Sequence, residues 1–210
     1  MPVDIHNPAN PSEVVGTFPT MLSEDVPAMM ANARKAQREW ARIPQPERGK
    51  IVDAFLDGLE TRIEDIATAI TREMGKIIGE SWGEVNKALG EGRATTRRAS
   101  APIGEVLPSQ KPGTVTYSTR RPRGVIVGIN PWNFPFSTPI RKTIPALVYG
   151  NAIVLKPSIS TPGAAFIMQE VADQILPKGL FQIAYGSGSL GGALASANGA
   201  EAISFTGSVA

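Results

Sequence analysis

Cysteine is absent from this chain of 210 residues, and histidine occurs once, as His6 near the amino terminus. Without a thiol, these residues can form no disulfide, thiolate metal site, iron–sulfur cluster or cysteine nucleophile. His6 lies near the terminus among Asn and Pro, so we expect no Ser-His-Asp triad, and one histidine cannot form a zinc site built from several. Any chemistry carried by these residues must therefore use a short list of other side chains.

Long apolar runs and a strong net charge are missing as well. No apolar stretch approaches the length that spans a membrane, and the amino terminus lacks the basic-then-apolar pattern of a secretory signal. The 21 Lys and Arg residues against 19 Asp and Glu residues leave a formal net charge of +2, with no dominant basic block, which argues against nucleic acid. The apolar share of 42% is that of an ordinary globular chain. We expect a soluble, cytoplasmic protein with no membrane and no nucleic-acid partner.

The first half of the chain has the periodicity of helices. Residues 1–22 are rich in Pro and Asn and predict an extended arm with one or two short strands. Ser23 is expected to cap a first helix. After a break at Pro44 and Pro46 the same period resumes from Val52 to Met74, and a third helix is predicted over about 80–100. The predicted inward-facing residues are Val26, Met30, Ala33, Ala36, Trp40, Val52, Phe55, Leu59, Ile63, Ile66, Ile70, Met74, Trp82, Val85 and Leu89. Acids paired at helical spacing predict solvated helix faces; they are Glu60, Glu64, Glu80 and Glu84.

From Pro112 onward the period changes to that of strands. Residues 114–119 alternate and are rich in β-formers, which predicts a strand or a hairpin arm. Four apolar runs bounded by turn residues then predict strands buried on both faces; they span 124–129, 152–155, 181–184 and 202–205. Helix-length segments separate the runs, at about 138–149, 162–176 and 189–198. This repetition predicts βαβ units, a parallel sheet with flanking helices, and hence the α/β class.

The segments that follow the four runs are the candidate site, because ligands of parallel sheets bind at the carboxyl ends of the strands. They carry small, polar or cationic groups suited to an anionic ligand that bears a sugar. In chain order they are Asn130-Pro131-Trp132-Asn133-Phe134-Pro135, Lys156-Pro157-Ser158, Gly186-Ser187-Gly188-Ser189-Leu190-Gly191-Gly192 and Thr206-Gly207-Ser208.

Each segment alone also has a plain structural interpretation. The glycine segment that begins at Gly186 reads G-x-G-x-x-G, as in the dinucleotide fingerprint, but it follows the third strand rather than the first and no acid ends the next strand. A tight turn with close helix–sheet packing would also account for it. Lys156 alone is typical of a solvated surface lysine, Asn133 of a turn, and the segment from Thr206 of a helix N-cap.

Together and in this order, the four segments resemble the aldehyde dehydrogenase superfamily. The resemblance extends over nearly the whole chain and includes three further segments: Asn7-Pro8-Ala9-Asn10, Glu73-Met74-Gly75-Lys76 and Arg121-Pro122-Arg123-Gly124-Val125. It implies a truncated aldehyde dehydrogenase fold with a Rossmann-like sheet. An arm and helical layer would occupy 1–112, a β arm of the kind that associates subunits 113–123, and an incomplete coenzyme-binding core 124–210.

The resemblance also implies a chemistry. In that family a cysteine thiolate attacks an aldehyde, hydride passes to NAD(P), and water activated by a glutamate hydrolyses the thioester. Asn133 would be the oxyanion-hole asparagine, whose neutral amide can donate to a carbonyl oxygen as that oxygen gains charge. Lys156 would bond the adenosine ribose, and Gly207 and Ser208 would open a helix whose free N–H groups meet the pyrophosphate. The other coenzyme-binding residues implied are Ile129, Pro131, Trp132, Ser158, Ile159, Gly188, Gly192 and Phe205.

The chain departs from that family at its end. It stops at Ala210, where the resemblance implies the opening of a helix, and it has no cysteine; Glu170 and Glu201 match no motif for the glutamate base. We therefore expect the coenzyme-binding part of an NAD(P)-dependent aldehyde dehydrogenase, inactive by itself. The whole enzyme would be a homo-oligomer acting on a small aldehyde, such as a dicarboxylic semialdehyde. The alternatives are a non-catalytic dinucleotide-binding or interaction protein that ends at Ala210, and a purely structural protein.

Two further expectations concern coenzyme choice and the behaviour of the isolated chain. NAD-preferring members of the family often carry a glutamate three residues after the lysine, where this chain has Ile159. The missing carboxylate predicts that NADP is accepted and preferred over NAD. A sheet that stops after its fourth strand leaves an unpaired edge, which predicts association and partial disorder near Ala210.

Overall fold

A computed structural model of the chain describes residues 2–208. An antiparallel hairpin opens it, with β1 at Val3–Asn7 and β2 at Asn10–Phe18. Four helices follow: α1 at Val26–Trp40, α2 at Gln45–Glu60, α3 at Ile63–Met74 and α4 at Ile78–Thr96. A second hairpin then joins β3 at Gly104–Leu107 to β4 at Thr116–Thr119.

The rest of the described chain alternates strands and helices, as the sequence predicts. Its strands are β5 at Val125–Ile129, β6 at Ala152–Lys156, β7 at Phe181–Ile183 and β8 at Ala202–Phe205. Its helices are α5 at Ser137–Val148, α6 at Gly163–Ile175 and α7 at Gly188–Ala195. The strands form a parallel sheet in the order β7-β6-β5-β8. The predicted α/β class with flanking helices is confirmed.

The helical layer and the sheet share one hydrophobic core. Most of the predicted apolar stripe of α1, α2 and α3 is fully buried and packs with β5, β6, α5 and α6. Buried polar groups also join the layers: the indole N–H of Trp40 donates to the carbonyl of Leu147 at 2.8 Å, and Arg48 Nε donates to the carbonyl of Val148 at 3.0 Å. The layer is therefore part of the same packed unit as the sheet.

Several local predictions are wrong in detail. The periodic segment from residue 52 to residue 74 is two helices, because the chain turns at Thr61, whose hydroxyl donates to the carbonyl of Gly58. Ser23 lies in a short 3-10 turn and does not cap α1, which begins at Val26. The strand or hairpin arm predicted at 114–119 is a hairpin whose second strand, β4, has four residues, and the sequence pattern does not predict its partner β3. β3 begins with Gly104 and Glu105, residue types that are depleted in strands, so it lacks the run of β-formers that marks residues 114–119.

The third predicted helix begins earlier than expected, and the predicted burial of two of its residues is wrong. α4 begins at Ile78 and its last turn passes into a 3-10 turn at Arg97–Ser100. Trp82, predicted to face inward, is 39% exposed, whereas Glu84, predicted to be solvated, is buried. The α4 face that packs inward is therefore rotated toward Glu84.

Two kinds of feature are absent from residues 2–208. No helix within 2–208 has the length and apolar character needed to cross a lipid bilayer. In the same part of the chain, no three His, Asp or Glu side chains come together in a way that could hold a metal ion. The expected disorder near Ala210 and most of the expected helix opening there lie outside the described residues.

Candidate active site

The order of the strands places a switch point beside β5. The chain runs from β5 through β6 to β7 on one side, and then returns to pair with the other edge of β5 as β8. In open α/β sheets, ligands bind in the crevice outside the carboxyl ends of the strands at such a point. The segments after β5 and β8 flank this crevice, and those after β6 and β7 continue along the same edge. The structure thus brings all four predicted segments to one edge of the sheet.

Lys142, on α5, lies directly below this edge. Its ammonium donates to the carbonyl of Ile129 at 2.8 Å and to that of Ser204 at 2.7 Å, which ties the ends of β5 and β8 together. Burial lowers the pKa of Lys142 to about 8. None of the sequence motifs singles out Lys142. The available signal was a lysine set among the buried positions Ile140, Thr143 and Ile144 of an amphipathic helix.

The segment after β5 exposes several of the predicted site residues. Trp132 is 56% exposed, and the side chain of Asn133 is exposed and makes no hydrogen bond to any described residue. Pro131 and Ile129 are half-buried beside them. The side-chain oxygen of Asn130 is buried and likewise has no hydrogen-bond donor within residues 2–208. An exposed amide that nothing in the described chain engages is free to donate to a ligand.

The backbone of this segment is fixed by a buried ion pair. Lys76 Nζ lies 2.6 Å from Glu84 Oε2, and the two side chains are only 8% and 2% exposed. The same ammonium donates to the carbonyl of Asn133 at 3.2 Å and lies 4.4 Å from the ring centroid of Phe134. Glu84 therefore serves the candidate site and is not part of a solvated face.

Lys156, at the end of β6, is not a solvated surface lysine either. It is 6% exposed, and burial lowers the pKa of its ammonium. Within the described residues, the ammonium makes one hydrogen bond, to the carbonyl of Pro157 at 3.0 Å. An ammonium has three donors, so this buried cation retains capacity for further acceptors.

The glycines after β7 divide between the two interpretations that the sequence leaves open. A Cβ on Gly186 would stand 2.6 Å from the Leu190 side chain, and one on Gly191 would stand 3.4 Å from Lys156 Cδ. These two glycines serve turn formation and packing. Gly188 and Gly192 face open space, with no heavy atom within 4 Å of an added Cβ, which leaves room for a ligand against the backbone.

The remaining predicted residues lie at the two ends of the edge. Ser158 and Ile159 are half-buried after β6, and Ile159 lines a small cleft that includes Phe18 and Tyr185. The Tyr185 hydroxyl is buried with no hydrogen-bond partner in the described chain, and burial raises its pKa. Phe205, the last residue of β8, is exposed, as are Gly207 and Ser208 after it. A Cβ on Gly207 would stand 2.5 Å from the Phe205 ring, so glycine allows that turn.

These groups fit a nucleotide coenzyme. The buried Lys156 ammonium can donate to ribose or phosphate oxygens, and the unpartnered oxygen of Asn130 can accept from a hydroxyl. The open backbone at Gly188 and Gly192 allows a close approach that a side chain would prevent. The exposed ring of Trp132 supplies an apolar wall. The donor set and the open surfaces therefore suit a ligand with both charged and aromatic parts.

Known proteins resemble this chain over its whole length. The family model described as the aldehyde dehydrogenase family matches residues 1–210. The alpha-ketoglutaric semialdehyde dehydrogenase of Bacillus subtilis is 37% identical over 208 residues, which cover 98% of this chain and 43% of that protein.

Two solved structures show the same similarity in three dimensions. A double mutant of Staphylococcus aureus betaine aldehyde dehydrogenase in complex with NAD+ has a TM-score of 0.93 at 30% identity, covering 98% of this chain and 42% of that one. A structure described as an Escherichia coli NADP dependent enzyme has a TM-score of 0.89 at 30% identity, covering 93% and 41%. The chain thus spans about two fifths of the length of these relatives. The match of the family model from end to end and the shared fold show that this chain belongs to the aldehyde dehydrogenase family.

Proposed function

We propose that this chain is the coenzyme-binding part of an enzyme that oxidises an aldehyde to a carboxylic acid with NAD(P), and that Asn133 is its oxyanion donor. The proposal rests on the exposure and the hydrogen bonding of Asn133. Its side-chain amide is exposed and free of hydrogen bonds to the described residues, while its backbone carbonyl is held by a buried lysine. A donor that lies on a held backbone and has no partner among the described residues is what a developing oxyanion requires.

The coenzyme, when bound, supplies the hydride acceptor, and residues along the sheet edge hold it. Lys156 donates to the adenosine ribose, and the open backbone at Gly188 and Gly192 admits the adenine side. Ile129, Pro131 and Trp132 line the nicotinamide side. Phe205, Gly207 and Ser208 border the pyrophosphate, with Ser158 and Ile159 beside the ribose. NADP is proposed as the preferred coenzyme because no carboxylate stands at position 159.

The proposal extends to substrate and assembly. A dicarboxylic semialdehyde is the proposed substrate, supported by the name of the Bacillus subtilis relative. The second hairpin, with exposed Val106, Val115 and Tyr117, is the proposed surface through which copies of the chain associate. The thiol nucleophile and the glutamate base are not among these 210 residues, so these residues alone are proposed to be inactive toward aldehydes. A cytoplasmic location remains part of the proposal.

The test combines coenzyme binding with aldehyde oxidation in the protein expressed from its complete coding sequence. Gly192→Leu places a side chain where the adenine side would lie, and Gly90→Leu is the matched control at an open helical position on α4, outside the site. We expect Gly192→Leu to weaken calorimetric NADP+ binding at least tenfold and Gly90→Leu to leave it within twofold. Binding that neither variant changes would refute the proposed coenzyme site. Failure of an aldehyde to reduce the bound coenzyme would instead favour a non-catalytic dinucleotide-binding protein.

A further inference from the structure

The segment between β5 and α5 is held in place by residues of other elements. Trp132 and Asn133 have exposed side chains, and no described backbone partner outside the segment pairs with the Asn133 carbonyl. The contacts that fix the segment come from other elements. The Thr161 hydroxyl donates to the carbonyl of Trp132 at 3.3 Å, and Lys76 Nζ donates to the carbonyl of Asn133 at 3.2 Å.

Glu84 holds the far end of the same segment. Its Oε1 accepts the backbone N–H groups of Phe136 and Ser137, both at 3.0 Å. These amides belong to the start of α5, whose first N–H groups have no partner inside the helix, and no side chain at the N-cap position supplies one. A carboxylate at a helix N-terminus is also stabilised by the helix dipole. Glu84 thus replaces the missing cap of α5 from a neighbouring helix.

The ion pair joins these two anchors into one unit. Glu84 Oε2 receives Lys76 Nζ at 2.6 Å, while Lys76 also lies over the ring of Phe134. Both side chains are almost fully buried, so water competes little with these bonds, and breaking one partner leaves the other uncompensated. The backbone from Asn133 to Ser137 is therefore fixed at both ends by one pair of charges.

We propose that Lys76 and Glu84 are positioning residues for the Asn133 amide, acting through the backbone of residues 133–137. This inference rests on the proposed function, in which Asn133 donates to the oxyanion. A displacement of about 1 Å in a reacting group can cost on the order of a hundredfold in rate. A buried clamp on the carbonyl of Asn133 itself limits such displacement, whereas neither Lys76 nor Glu84 needs to touch the substrate.

The test uses a neutral replacement of similar volume, Lys76→Met together with Glu84→Gln, in the protein expressed from its complete coding sequence. This double variant avoids a buried unpaired charge, which could by itself prevent folding. Glu80→Gln together with Lys87→Met is the matched control, because both residues are exposed on α4. The readouts are hydrogen exchange at the backbone amides of Phe136 and Ser137, which donate to Glu84, kcat, and the coenzyme Kd, each measured with and without Asn133→Ala.

We expect the clamp variant to exchange these amides at least tenfold faster and to lose tenfold to a hundredfold in kcat, with the coenzyme Kd within threefold. In the Asn133→Ala background the clamp variant should cause less than a threefold further loss, because the group being positioned is already gone. The control variant should match the native protein in all three readouts.

Two results would overturn the inference: unchanged exchange at the Phe136 and Ser137 amides in the clamp variant, or a full additional loss of kcat in the Asn133→Ala background. The second result would show that the pair affects turnover through the fold as a whole and not through the position of the Asn133 amide. A separate outcome concerns the proposed function. If Asn133→Ala alone leaves kcat unchanged, the role of Asn133 is refuted whatever the exchange rates show.

Discussion

Both carboxylate oxygens of Glu73 accept the backbone N–H of Gly163, at 3.0 and 2.9 Å, which joins the last turn of α3 to the first turn of α6. Glycine is needed for this approach, since a Cβ at position 163 would stand 2.6 Å from Glu73 Oε1. Glu73 is buried, and burial raises its pKa to about 7, against an ordinary value of 4.5. The joint lies at the end of the loop that carries Ser158 and Ile159, so it also steadies one side of the candidate coenzyme site.

Glu73→Gln should remove part of the pH dependence of stability. The pKa of Glu73 is higher in the folded state than in the unfolded state. Its contribution to the free energy of unfolding is therefore fully present below about pH 4.5 and is lost as the pH rises through about 7. The shift corresponds to a loss of about 3 kcal/mol across that window. We expect the glutamine variant, which keeps an acceptor for Gly163, to be at least as stable as the native protein at pH 8. Urea unfolding at pH 5 and pH 8 measures this.

Glu64→Gln is the control for that measurement, because it removes an exposed carboxylate from the same helix. It should keep the pH dependence of the native protein. If Glu73→Gln unfolds with the same dependence as this control, Glu73 does not titrate in the range that its burial predicts.

Two glycines of α4 should respond oppositely to alanine. Gly90 is exposed with open space around an added Cβ, so Gly90→Ala should stabilise the protein by about 0.5–1 kcal/mol through helix propensity. At Gly92 an added Cβ would stand 2.9 Å from Leu56 Cδ2 and 3.5 Å from Ile144 Cγ1. Overpacking of this kind typically costs about 1–3 kcal/mol, so Gly92→Ala should destabilise. Equal stabilisation of both variants in urea unfolding would show that Leu56 yields without cost.

The second hairpin should control association of the chain. Val106 and Tyr117 are cross-strand partners with 79% and 69% exposure. Replacing them with Val106→Lys and Tyr117→Glu keeps a favourable opposite-charge pair within the hairpin while removing its apolar surface. We expect light scattering to give a smaller molar mass for this double variant than for the native protein. Val14→Lys, at an exposed valine of the first hairpin, should leave the mass unchanged; an unaltered mass in the double variant would place the association surface elsewhere.

The parts of the fold that were predictable from sequence are those with a repeated burial pattern. The four strands of the parallel sheet are apolar runs, and the stripe of α1 recurs every three or four residues, so the amino-acid order alone indicates both. β3 was not predictable, because Gly104 and Glu105 are residue types depleted in strands and its pairing with β4 depends on partners about nine to fifteen residues away. A four-residue strand with few β-formers leaves no clear signal in the sequence.

The site was predictable as a set of segments but not as a set of contacts. The rule that ligands bind at the carboxyl ends of strands brings Asn133, Lys156 and Gly188 together from sequence. The burial of Glu84 was not predictable, and the amphipathic pattern around Lys142 does not indicate which carbonyl groups its ammonium contacts. Glu84 sits at a spacing that suits a solvated face equally well, and only its partners on other elements explain its burial. Contacts between residues distant in sequence have no local signature.

Asn133→Ala should lower turnover far more than it weakens coenzyme binding. Losing one oxyanion donor typically costs about a hundredfold to a thousandfold in rate, whereas the coenzyme contacts proposed above do not use the Asn133 amide. The measurement is kcat and the calorimetric NADP+ Kd in the protein expressed from its complete coding sequence. Asn86→Ala, at an exposed asparagine of α4, is the control and should leave both values unchanged. Full turnover in Asn133→Ala would make Asn133 an ordinary loop asparagine.

Ile159→Glu should shift coenzyme preference from NADP toward NAD. A carboxylate three residues after Lys156 can accept bonds from the ribose hydroxyls, and it repels a 2′-phosphate. Such a charge-assisted bond contributes roughly 1.5–3 kcal/mol, or about tenfold to a hundredfold in Kd. We expect the native protein to bind NADP+ more tightly than NAD+, with the phosphate near Lys156 and Ser158. The variant should gain affinity for NAD+ and lose affinity for NADP+, as measured by calorimetry with each coenzyme.

Ile159→Gln separates this effect of charge from one of packing. Ile159 lines the cleft beside Phe18 and Tyr185, so any polar substitution there removes apolar contact, and glutamine does so without a negative charge. If the charge decides, the glutamine variant keeps the native order of affinities and only the glutamate variant reverses it. If Ile159 merely packs against the adenine side, the two variants lose affinity for both coenzymes equally. A strong native preference for NAD+ that glutamate leaves unchanged would refute the role of position 159, because the ribose would then be held by other groups.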